Sequence, residues 1–118
     1  MSVTKIINGR VITPYRMMDG AAVLIEDGLI KEVSVAAAGA DADETIDAGG
    51  KYVMPGFIDI HSHGAGGHDF MDGDPDSFKI IAATHAKYGT TMIFPTLTSS
   101  KFDVLKESIK NFDAIEFD

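Results

Sequence analysis

Two histidines spaced one residue apart, His61 and His63, are the residues whose type and spacing point most directly to chemistry. On a β-strand, side chains at i and i+2 share a face, so both imidazoles project together while Ser62 turns away. Two imidazoles side by side can ligate one cation. Asp59 lies one pleat further back, placed to accept from an imidazole N–H or to bond backbone. Gly64, directly after the pair, removes side-chain bulk where a metal or substrate approaches. A bare His-x-His also occurs on exposed strand edges, so its setting decides the reading. Here the pair sits in an apolar strand, with Asp two residues before, Gly one after and a Gly-rich segment beyond. That setting favours metal ligation. Catalytic zinc-type sites take three protein ligands and leave one position open. No carboxylate in the sequence stands out as the third.

The elements around the pair are legible as well. Phe57, Ile58 and Ile60 suit a buried strand. Asp74-Pro75 supplies an N-cap and a first-turn proline, and a helix follows to about Tyr88, stopped by Gly89. Thr90–Phe94 reads as a strand ended by Pro95. Ser100 offers the next N-cap, and Phe102, Leu105, Ile109 and Phe112, spaced 3, 4 and 3, form one helical stripe. Alternating strands and helices imply an α/β unit with a parallel sheet, and barrels of that kind carry their sites at the strands' C-terminal ends.

Residues 1–53 read differently, as a small antiparallel sheet without a catalytic cluster. Asn8-Gly9 between Ile6-Ile7 and Val11–Thr13 is a hairpin signal, and Glu26-Asp27-Gly28 between Ala22–Ile25 and Leu29–Val33 is another. Residues 35–43 lack any period and read as a loop. Thr45–Asp47 predicts a third strand.

The remaining features mostly exclude. The net charge of −8 argues against a nucleic-acid footprint, which needs clustered Lys and Arg. No apolar run approaches the roughly 18 residues of a membrane span. The absence of cysteine excludes disulfides and thiolate metal sites and fits the cytoplasm. The segment Gly64–Gly73 lacks the Gly-Lys-Ser/Thr ending of a phosphate loop and reads as a flexible active-site loop. His68 within it reads as a solvated loop residue, and His85, mid-helix, as packing or surface. Asp69, Asp72, Asp74 and Asp76 lack the distal glutamate of a calcium loop.

The run Pro55-Gly56-Phe57-Ile58-Asp59-Ile60-His61-Ser62-His63-Gly64 resembles the amidohydrolase superfamily of metal-dependent hydrolases. Gly64-x-x-Gly67-x-Asp69-x-Met71-Asp72 and Gly89–Ser100 narrow the resemblance to the N-acetylglucosamine-6-phosphate deacetylase family. That resemblance implies a β-sandwich segment over residues 1–53 and, over 54–118, the first two βα units of a (β/α)₈ TIM-type barrel. It implies that His61 and His63 ligate one or two divalent ions, with Zn, Fe, Co and Ni all compatible with imidazole. It also implies an amino-sugar phosphate substrate, a cytoplasmic location and a homodimer in the complete enzyme. A dihydroorotase-like cyclic amide hydrolase is the nearest alternative, but the arginine such enzymes carry soon after the His pair is absent. A non-catalytic, self-associating domain is the other.

The resemblance leaves much outside residues 1–118. A barrel of this type takes about 250 residues, and two parallel strands cannot close one. In the family, a Glu ligand, two further His ligands and the acid/base Asp come later in the barrel. No catalytic residue is therefore expected in this chain, and deacetylation by these residues alone is not expected.

Overall fold

A computed structural model describes residues 2–115, which divide into two compact units between Pro55 and Gly56. Strands β1 (Val3–Ile7), β2 (Arg10–Ile12), β3 (Met17–Asp19), β4 (Ala22–Glu26), β5 (Leu29–Ser34), β6 (Glu44–Asp47) and β7 (Tyr52–Val53) build the first unit. They form a four-stranded sheet, β5-β4-β1-β6, and a three-stranded one, β3-β2-β7. Along β4 the side chains alternate as the pleat requires. Ala22 and Leu24 pack with Ala37 of the 3₁₀ turn Ala36–Gly39, whereas Val23 packs with Val11 and Ala21 in a cluster that draws on both sheets.

The Glu26-Asp27-Gly28 hairpin forms as its sequence predicts, with positive φ at Asp27 (49°) and Gly28 (80°). Asn8-Gly9 does not make a hairpin. β1 pairs with β4 and β6, and β2 with β3 and β7, so these two residues turn the chain from one sheet into the other. Gly9 is required there because a Cβ would overlap Val53 Cγ2 and sit 3.0 Å from Ala48 Cβ. The sheets are mixed rather than antiparallel, since β1·β6 and β2·β7 run parallel.

At this corner the Asn8 side-chain amide donates to Asp47 at 2.9 Å and holds its carboxyl below the usual carboxylate range. With the folded pKa depressed, the linked stabilisation is present above the unfolded carboxylate range and is lost as pH falls through the folded value. Asn8→Ala should return the Asp47 titration, followed by carboxyl ¹³C NMR, toward its ordinary range; an unmoved curve would reject this coupling.

The second unit contains β8 (Phe57–Ser62), β9 (Gly64–Ala65), β10 (His68–Asp69), α1 (Pro75–Lys87), β11 (Thr90–Pro95) and α2 (Phe102–Asp113). It is an α/β unit in which β8, α1 and parallel β11 follow one another, with β9–β10 a small hairpin inserted before the helix. Helix α1 keeps its predicted limits. Asp74 accepts the Asp76 N–H, Pro75 opens the first turn, and Gly89 (φ 90°) follows the last. Phe70, Phe78 and Ile81 form the core.

Three expectations fail here. The N-cap of α2 is Lys101 without a side-chain cap, not Ser100, and Phe102 and Ile109 of the predicted stripe lie exposed while Ser108 is buried. Phe57, Ile58 and Ile60 are also exposed, Ile60 by 73%. β8 and β11 form a two-stranded sheet in which, among the described residues, neither has a second neighbour. Too little structure surrounds β8 to bury it.

Candidate metal centre

The His pair stands at the end of β8, where the β8–β11 ladder is irregular. Ile93 pairs with Asp59 and Pro95 with Ser62, so Ile60 and His61 together face the single residue Phe94. This is a β-bulge, and it resets the alternation of side chains. Asp59 and Ser62 now both meet His85 of α1: Ser62 Oγ lies 3.2 Å from His85 Nε2, and Asp59 Oδ2 3.9 Å from His85 Nδ1. Ser62 is buried, 6% exposed. The rings of His61 and His63 come together, with centroids 5.0 Å apart in an edge-on arrangement. His61 is exposed and His63 half-buried.

Each histidine is tethered. The His61 backbone N–H donates to Asp59 Oδ1 at 3.1 Å. His63 Nδ1 lies 2.8 Å from the Thr96 carbonyl oxygen. A carbonyl only accepts, so Nδ1 carries the proton and the neutral ring keeps its lone pair on Nε2. Thr96 is held in turn by its own N–H, which donates to the Ser62 carbonyl at 2.8 Å.

Several residues read from the sequence take other places. Asp59 takes the second of the two roles open to it, bonding backbone at His61 and not an imidazole of the pair. His85 is not free surface; its side chain is 15% exposed and reaches back to β8. Gly64 leaves room for protein, not for a ligand. A Cβ there would overlap the His68 carbonyl oxygen and lie 2.9 Å from Asp69 Cα. Gly64–Gly73 is accordingly built around the β9–β10 hairpin, with Phe70 buried. His68 is half-buried and bonds Ser77 Oγ at 3.0 Å, with Asp72 Oδ2 at 3.6 Å. Asp69 and Asp72 tie the following turn, accepting from the N–H groups of Met71 and Asp69. The signal for the bulge and the His85 contact is long-range and absent from local spacing.

The pair suits part of a metal site. It offers two imidazoles, that of His63 with one ring nitrogen held by a hydrogen bond. Among the described residues no group of three His, Cys, Asp or Glu is placed to hold a metal ion. The two imidazoles of His61 and His63 stand together without a third such group beside them among the described residues.

Residues 44–96, from β6 through β11, match the family model described as "Amidohydrolase family". The resemblance read from Pro55–Gly64 is borne out over that stretch, and amidohydrolases are generally metal-dependent. The narrower resemblance to N-acetylglucosamine-6-phosphate deacetylases is borne out as well. The chain is 30% identical over 106 residues to the Haemophilus influenzae N-acetylglucosamine-6-phosphate deacetylase, covering 89% of this chain and 28% of that protein. It matches the crystal structure of the Pasteurella multocida N-acetylglucosamine-6-phosphate deacetylase with a TM-score of 0.84 at 25% identity, over 94% of this chain and 30% of that one. A dihydroorotase of Trichlorobacter lovleyi is 50% identical over a shorter span of 56 residues, 47% of this chain and 13% of the relative. Hydantoinases and an adenine deaminase are similar too. The chain spans less than a third of the length of each of these three proteins.

Proposed function

We propose that this chain is the N-terminal part of a metal-dependent deacetylase that hydrolyses N-acetylglucosamine 6-phosphate to glucosamine 6-phosphate and acetate. The observation that carries the reading is the paired imidazoles at the end of β8, in a chain whose likeness to a deacetylase structure extends over 94% of its length. In this reading residues 1–53 belong to a β-sandwich and 54–118 to the first two βα units of a (β/α)₈ barrel. The exposed apolar side chains of β8 and β11 then face barrel strands supplied by further residues.

His61 and His63 hold one or two divalent ions together with ligands from outside residues 1–118. A bound ion of this kind lowers the pKa of a water ligand and polarises an acyl carbonyl. The chain's own residues orient the donors. The Thr96 carbonyl holds His63 with Nε2 free, and Asp59 fixes the backbone at His61. The carboxylate that moves the proton from water to the leaving amine lies outside this chain. The complete enzyme works in the cytoplasm as a homodimer.

The 50% identity to a dihydroorotase over 56 residues favours a second reading, cyclic amide hydrolysis. Acetate release from N-acetylglucosamine 6-phosphate, and ring opening of dihydroorotate, would be measured for the 118-residue chain alone and for a chimera carrying it in place of the matching segment of the Haemophilus influenzae deacetylase. The expected result is an inert chain and a chimera that releases acetate. Dihydroorotate turnover by the chimera, or deacetylation by the chain alone, would overturn the proposal.

A further inference from the structure

We infer that His85 is a positioning residue for the His61–His63 pair, holding β8 at its bulge through a hydrogen bond to Ser62. The inference rests on the metal reading only for its ligand; the geometry concerns the metal-free chain. Asp59 and Ser62 are the ladder residues that bracket the bulge; His85 Nε2 lies at hydrogen-bond distance from Ser62 Oγ, 3.2 Å, while its Nδ1 stands 3.9 Å from Asp59 Oδ2, beyond that reach. A bulge disrupts the ladder locally, and this bond ties it to a neighbouring element. His85 supplies that hold from α1.

The effect reaches the imidazoles through Ser62. Its carbonyl accepts the Thr96 N–H, and the Thr96 carbonyl accepts the His63 Nδ1 proton, both at 2.8 Å. A shift of Ser62 therefore passes through two hydrogen bonds to the tautomer of His63.

The test compares the wild-type 118-residue chain with His85→Ala, His85→Gln and Ser62→Ala. The His63 tautomer is read by long-range ¹H–¹⁵N NMR without metal, and zinc affinity by calorimetry. Wild type should show His63 protonated at Nδ1. His85→Ala should raise the Nε2-protonated fraction severalfold and weaken zinc binding about tenfold, the low end for groups that orient ligands. His85→Gln, able to bond Ser62 through its amide, should recover most of both. Should His85→Ala fail to fold, Ser62→Ala decides, since it deletes one hydroxyl and should move the tautomer in the same direction. A His63 tautomer unchanged in whichever of these variants folds, or protonated at Nε2 in wild type, overturns the inference. Wild type that binds no zinc would instead defeat the metal reading and leave the tautomer result standing.

Discussion

Replacing His61 and His63 together by alanine is expected to abolish zinc binding by the 118-residue chain and to lower its melting temperature by only about 2–5 °C. The His61 side chain is exposed. The half-buried His63 ring has its bond to the Thr96 carbonyl, worth about 1 kcal/mol net. Stability therefore changes little, while both donors vanish. Each single replacement should weaken binding about tenfold, equivalent to about 1.4 kcal/mol, and the double replacement should bring it below detection in a calorimetric titration. His68, with Asp72 Oδ2 3.6 Å from its Nδ1, is the internal control, because it could also attract zinc. Zinc binding that survives in the double variant and disappears in His68→Ala would move the metal centre to the hairpin.

Gly64→Ala should be the most damaging single methyl added to the second unit. The atoms in its way are backbone, the His68 carbonyl oxygen and Asp69 Cα, and neither can yield without opening the β9–β10 hairpin. Overpacking against fixed atoms costs typically 1–3 kcal/mol, and about 3 kcal/mol is expected here. Gly67→Ala is the useful comparison. Its φ of 83° strains an alanine by about 1–2 kcal/mol, yet nothing lies within 4 Å of the added carbon. Chemical denaturation followed by hydrogen exchange should show Gly64→Ala losing protection at Phe70, whose N–H donates to the His63 carbonyl, while β1–β6 stay protected. A Gly64→Ala variant within about 0.5 kcal/mol of wild type, the range of an ordinary surface change, would reject the argument.

What the sequence discloses about this fold divides by range. The limits of α1 are set by residues in contact with their own neighbours. Asp74 caps the turn it begins and Gly89 adopts the φ that ends it. The β4–β5 hairpin is equally local, since Asp27 and Gly28 form its turn. Asn8-Gly9 carries a similar signal and gives a different outcome, because which strands β1 and β2 pair with is decided by β4, β6, β3 and β7. The neighbourhood of His61 and His63 could be read from strand alternation, but the turn of Asp59 toward His85 could not. A period of two holds only while the ladder is regular, and the bulge at Ile60-His61 breaks it between Asp59 and Ser62. His85 was invisible for the same reason. Nothing within its helix indicates that its partners lie 23 and 26 residues earlier. Gly64 shows a further limit: the need for a missing side chain is evident, but what fills the space is not.

The bare flanks of β8 and β11 have a practical consequence. Among the described residues, each strand presents amides and carbonyls to the side its partner does not cover, beside exposed Ile58, Ile60, Met92 and Phe94. Such an edge accepts any extended segment that reaches it first. Handled at high concentration, the 118-residue polypeptide would recruit copies of itself into lengthening ribbons. Dilution, cold storage and a lysine placed on the outer rim of β11 are the measures that would keep it in solution.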